Sequence, residues 1–193
     1  MALRLAILGC GFWARYQIAA WRELPDVEIV ALYNRTRAKA EALGEQFGVA
    51  AIYDDAEALI ERERPDAVDI ITDVDSHSRF VRLAARHGVA AICQKPMAPS
   101  LEEAEGMVRA SAGAGAPLII HENWRWQRPL RELKRQLDAG AIGRPFRARI
   151  QFSCSFPVFD NQPFLRELDQ FILSDIGSHI LDAARALFGD AQR

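Results

Sequence analysis

The strongest constraint on this chain is an alternation that runs through its first 121 residues, in which short apolar runs are separated by amphipathic stretches of helical period. The runs fall at residues 3–8, 28–33, 50–53, 67–72, 90–93 and 117–121. Most are continuously apolar, as strands covered on both faces must be. The stretches between them, at 12–24, 36–47, 56–64, 77–87 and 101–112, read as helices. Gly48, Gly88 and Gly113 stand where helix ends favour a residue tolerant of positive φ, and Asp54 or Asp55 and Ser100 stand where N-caps belong. Strand, crossover helix and strand in repetition imply a parallel sheet with helices on both faces, so the expected class is α/β, doubly wound.

After His121 the pattern changes. Residues 124–139 read as a helix, 144–155 as one long alternating strand and 174–188 as a last helix. The expected organisation is therefore a sheet domain over 1–122 and the truncated start of an α+β domain over 123–193. A segment that short does not bury a core of its own, and a lone strand leaves unpaired backbone groups on both edges. The expectation is that the strand near 147–155 joins a second copy or a partner chain, or is the remnant of a larger sheet.

Gly9-Cys10-Gly11-Phe12-Trp13-Ala14 follows the first strand and opens the first helix. This is the Gly-x-Gly-x-x-Gly/Ala pattern of dinucleotide sites. Gly9 permits the tight turn, Gly11 clears the approach of a diphosphate to the backbone, and small Ala14 lets helix and strand pack closely. The helix start, through Phe12 and Trp13, offers amides to phosphate. The residue that meets the adenosine ribose is expected at the end of the second strand, where the chain reads Asn34-Arg35-Thr36-Arg37. No carboxylate stands there to repel a 2′-phosphate. The preferred cofactor is NADP, with NAD as the alternative if Asn34 merely ends the strand.

Gln94-Lys95-Pro96 ends the fifth run, at the edge where open α/β sheets hold ligands. An ammonium there can stabilise negative charge on a substrate oxygen. In Ser174-Asp175-Ile176-Gly177-Ser178-His179, Asp175 and His179 are four apart, on one helical face. A carboxylate beside an imidazole suits it to exchange a proton. Asp175, His179 and Asp182 could also ligate a metal, although the preferred assignment has none. Trp124, Arg125 and Trp126 could line a substrate cleft or pack in a core. His77 and His121 sit near strand ends on the same side.

Composition narrows the remaining classes. The 193 residues carry 24 basic and 26 acidic side chains, without the basic footprint that nucleic-acid binding requires. No apolar run approaches the roughly 20 residues of a membrane helix. The opening run is too short for a signal peptide, and the three cysteines lack Cys-x-x-Cys spacing, so reduced thiols and a cytoplasmic setting are expected.

The glycine turn, Gln94-Lys95-Pro96, Asn123-Trp124-Arg125-Trp126 with Gly140-Ala141-Ile142-Gly143, and Asp175-Ile176-Gly177-Ser178-His179 occur in the order and approximate spacing of the Gfo/Idh/MocA oxidoreductases, which the chain resembles. Ile71-Thr72 with His77 resembles that family's loop after the fourth strand. The resemblance implies a Rossmann domain binding NAD(P), a second domain covering a sugar, polyol or related substrate, and a catalytic Lys, Asp and His, here Lys95, Asp175 and His179. The family usually has Glu where Gln94 stands, and its members continue past the Asp/His helix with further strands. Two readings follow: a dehydrogenase acting on a CH–OH group, and a nucleotide-binding or regulatory module without catalysis.

Overall fold

The structure is a computed structural model that describes residues 1–167 and 170–191. The chain divides into two compact units, Met1–His121 and Glu122–Arg193.

The first unit has strands β1 (Leu3–Leu8), β2 (Val27–Tyr33), β3 (Ile52–Tyr53), β4 (Ala67–Ile70), β5 (Ala90–Gln94) and β6 (Leu118–His121). Between them lie α1 (Ala14–Trp21), α2 (Arg37–Phe47), α3 (Ala56–Glu63), α4 (Val74–Arg86) and α5 (Leu101–Ala114). All strand pairings are parallel, in the order β3-β2-β1-β4-β5-β6. This is the doubly wound Rossmann arrangement, whose order reverses between β1 and β4 and opens a crevice at the carboxyl ends of those strands.

Alternation along β1 builds both faces. Leu5 and Ile7 pack with Ala14, Ile18, Leu32 and Ala40, while Ala6 and Leu8 pack with Leu59, Phe80, Val81 and Met107. Each fully buried side chain of Leu or Ile size contributes about 1.5–3 kcal/mol. Asp55 caps α3 by accepting from the amides of Glu57 and Ala58, and Ser100 caps α5 through Glu103. The left-handed ends of α2 at Gly48 and of the turn at Gly88 stand where expected, but α5 runs on to end at Gly115 rather than Gly113.

The second unit contains a 3-10 turn (Trp124–Trp126), α6 (Arg128–Asp138), α7 (Val158–Asn161), a second 3-10 turn (Pro163–Glu167) and a π-helical turn (Leu173–Gly177) that runs directly into α8 (Ser178–Phe188). The single helix expected over 124–139 is broken at Gln127, whose backbone is extended. Pro129 needs no amide hydrogen bond in the first turn, so α6 restarts there. The strand expected over 144–155 is not formed; residues 145–157 carry no regular secondary structure. A strand is stable only when its backbone groups are paired, and this segment has no neighbouring strand among the described residues. Phe146 is 99% exposed. No helix among the described residues is long and apolar enough to cross a membrane.

Candidate functional site

Gly9 and Gly11 are glycine for different reasons. Gly9 has φ +107°, and a Cβ there would lie 2.6 Å from the Ile71 carbonyl oxygen and 2.9 Å from Thr72 Cγ2. The turn is thus pressed against the β4–α4 loop at the switch point. A Cβ on Gly11 would meet no protein atom within 4 Å, so packing does not demand glycine there. Open space in front of Gly11 fits a ligand that must approach the backbone. Ala14 is fully buried at the start of α1, and no side chain caps the helix or places a carboxylate in its first turn. Its positive end is therefore left for an anion. The residues present fit a dinucleotide diphosphate. Phe12, Trp13 and Tyr16 form an edge-packed aromatic group beside the turn, with the Arg15 guanidinium 4.9 Å from two of the rings.

At the end of β2, the Asn34 side chain is engaged in shaping the turn. Its Oδ1 accepts the Cys10 amide at 2.9 Å and its Nδ2 donates to the Thr36 carbonyl at 2.9 Å. One amide proton remains for a ribose hydroxyl. Arg35 and Thr36 are exposed, and Arg37 pairs with Glu41 at 2.9 Å.

Gln94 ends β5 and ties two segments together. Its Oε1 accepts the Lys95 amide at 3.0 Å, and its Nε2 lies 3.2 Å from His121 Nδ1 at the end of β6. An amide nitrogen only donates, so His121 Nδ1 accepts and its proton sits on Nε2. Lys95 is half-buried, followed by a cis peptide to Pro96. Thr72 takes a hydrogen bond from Ser76 at 2.7 Å. His77 is 1% exposed, with Nδ1 against the carbonyls of Pro96 and Met97 and Nε2 against that of Thr72. From this buried position it links the loop after β4 to the loop after β5.

In the second unit His179 has a partner that the sequence did not suggest. Glu122 is hydrogen-bonded to His179 Nδ1, and the Trp124 indole lies parallel to the imidazole at 4.8 Å. Arg125 forms a bidentate pair with Asp182, which holds the guanidinium above its ordinary pKa. Arg125 and Asp182 thus satisfy each other, and the metal alternative at Asp175, His179 and Asp182 is not assembled. Among the described residues no group of three or more His, Cys, Asp or Glu is gathered to hold an ion. Asp175 lies on the π-helical turn, a geometry frequent at functional sites, which shifts its phase relative to an unbroken α-helix. Trp126 is largely exposed.

Two residues were missed by sequence reasoning. Glu122 lies 57 positions from His179, and no local period links them. Asp69 did carry a signal, a carboxylate inside an apolar run. It is 1% exposed in β4, accepts from the Trp21 indole at 2.7 Å, and burial raises its pKa to about 7.

A model described as the oxidoreductase family, NAD-binding Rossmann fold (GFO_IDH_MocA) matches residues 3–121, and a GFO/IDH/MocA C-terminal domain model matches residues 130–193. A D-apiose dehydrogenase of Paraburkholderia graminis is 48% identical over 97% of this chain and 50% of its own length. A D-glucoside 3-dehydrogenase of Escherichia coli is 30% identical over 97% and 54%. A crystal structure of an oxidoreductase from Agrobacterium radiobacter in complex with NAD+, L-tartaric acid and magnesium superposes with TM-score 0.95 at 45% identity, over 98% of this chain and 56% of that one. The chain spans about half the length of the curated relatives it matches.

Proposed function

We propose, for a chain that belongs to the GFO/IDH/MocA oxidoreductase family, that it supplies the nucleotide-binding and proton-exchanging residues of an NAD(P)-dependent dehydrogenase acting on a CH–OH carbon of a sugar or polyol. The observation that carries this reading is the glycine turn at the switch point, where Gly9 is required by the protein and Gly11 is not. Likeness to a D-apiose dehydrogenase supports an aldose as the first substrate to try.

The nicotinamide, when bound, supplies hydride acceptance and return. The backbone amides of Gly11 and Phe12, with the positive start of α1, hold the diphosphate. Lys95 donates a hydrogen bond to the reacting oxygen and offsets the negative charge it develops. His179 takes the hydroxyl proton, and Asp175 adds negative charge one turn before it. For the cofactor, a β2 end without a carboxylate and with exposed Arg35 favours NADP, while NAD remains accepted, as in the Agrobacterium radiobacter complex. Buried, unpaired Cys10 and Cys93 suit a reducing compartment, the cytoplasm.

The test is reduction of NAD+ and NADP+ followed at the absorbance of the reduced nicotinamide, with D-apiose, other aldoses and inositols. Turnover that disappears in His179→Ala supports the reading. Cofactor binding with no turnover on any of them favours a nucleotide-binding module instead.

A further inference from the structure

We propose that Glu122 is a positioning residue that fixes the imidazole of His179 in one tautomer, leaving Nε2 as its reactive atom. The inference rests on the reading of His179 as the proton-exchanging group. His179 is 7% exposed, at the start of α8. Its Nδ1 is hydrogen-bonded to Glu122 Oε1, and an ionised carboxylate only accepts, so the Nδ1 position carries the proton. A neutral imidazole then has its lone pair on Nε2.

A second contact holds the plane of the ring. The Trp124 indole is within 3° of parallel to the imidazole, and Trp124 itself packs against Phe152, ring centroids 5.2 Å apart. A ring held at one edge by a carboxylate and across one face by an indole has little freedom to flip. The charged groups around it are Glu122, Asp175 on the π-helical turn, and the Arg125–Asp182 pair, whose guanidinium also feels the Glu122 charge. Of these three carboxylates, Asp182 is the one that Arg125 balances directly.

In the oxidative direction the substrate O–H bond breaks and its proton goes to Nε2. A bound oxidised nicotinamide would accept the hydride as the C–H bond breaks and the oxygen electron pair closes the carbonyl. The imidazolium keeps its Nδ1 proton on Glu122 throughout, so the carboxylate receives nothing and only orients and stabilises. Without it, the imidazole is free to take the opposite tautomer, which presents a proton where a base is needed.

The test is long-range proton–nitrogen NMR of the four histidines in the wild-type protein, Glu122→Gln and Glu122→Ala, with His179→Gln for assignment, alongside kcat and KM on the best aldose or polyol. In the wild type His179 carries its proton on Nδ1. Glu122→Gln keeps that tautomer, because its amide oxygen still accepts, and loses roughly 3- to 10-fold in kcat with the charge. Glu122→Ala shifts His179 to the Nε2-protonated form and lowers kcat roughly 10- to 100-fold with KM within about threefold. A tautomer unchanged in Glu122→Ala, or a kcat unchanged in either variant, overturns the proposal. If Glu122→Ala does not fold, Glu122→Gln decides through the same kcat measurement. A wild type that shows the expected tautomer and turns over no sugar or polyol supports the Glu122 assignment and overturns the functional reading beneath it.

Discussion

Trp124 and His179 stack face to face, with ring planes 3° apart and centroids separated by 4.8 Å. The contact ties the 3-10 turn Trp124–Trp126 to the start of α8 and makes Trp124 a wall for the imidazole. Trp124→Ala is expected to lower kcat at least 10-fold while KM changes less than threefold, and Trp124→Phe to retain most of the activity. An aromatic pair adds about 0.5–1.5 kcal/mol beyond its area. Steady-state kinetics check this, and a rise confined to KM would place Trp124 against the substrate instead.

Gly9→Ala is expected to destabilise the first unit by roughly 2–4 kcal/mol, since its Cβ would strike the Ile71 carbonyl at 2.6 Å in a backbone conformation disfavoured for other residues. Gly11→Ala is expected to unfold within about 0.5 kcal/mol of wild type, a change typical of a surface site. Denaturant unfolding of the two variants makes the comparison. Equal losses would mean that Gly11 is also held by protein packing.

Asp69 makes stability depend on pH with a definite sign. Burial raises its pKa from 3.8 to about 7, so the folded state keeps a proton that the unfolded chain gives up. Its contribution is full below 3.8, declines as pH rises toward 7 and is gone above that, with a slope of at most roughly 1.4 kcal/mol per pH unit. Asp69→Asn keeps an acceptor for the Trp21 indole and cannot ionise. The variant is expected to lose this component of the pH dependence between 4 and 7, measured as the difference from wild type in denaturant unfolding at several pH values. Parallel curves for the two proteins would contradict it.

His77 bridges the Thr72 carbonyl to those of Pro96 and Met97 from a fully buried position. His77→Ala removes the ring's hydrogen-bond donor to this carbonyl cluster and opens a void, so a loss of about 2–4 kcal/mol is expected, with His77→Gln recovering part of it. Thermal unfolding reads the difference. A wild-type-like midpoint with weakened cofactor binding would instead place His77 in contact with the cofactor.

Much of the first unit is legible in the chain because its signals are local. Apolar runs of strand length, glycines at helix ends and the Gly9–Ala14 turn each act over a few residues, and parallel strands require the crossovers between them. The strand read at 144–155 failed for the opposite reason: alternation marks a segment able to pair, but pairing needs a neighbour. The π-helical turn at Leu173–Gly177 leaves no periodic trace, so Asp175 and His179 read as one α-helical face. Glu122 and His179 meet only because the second unit folds its first residue onto its last helix, a long-range contact that no window of sequence contains.

The most direct test of the central claim is calorimetric titration of NAD+ and NADP+ into the wild-type chain and into Gly11→Ala. The account predicts saturable binding of both, tighter for NADP+, and at least a 10-fold weaker affinity in a variant that unfolds like the wild type. Binding of neither nucleotide, or equal affinity in the two proteins, would contradict it.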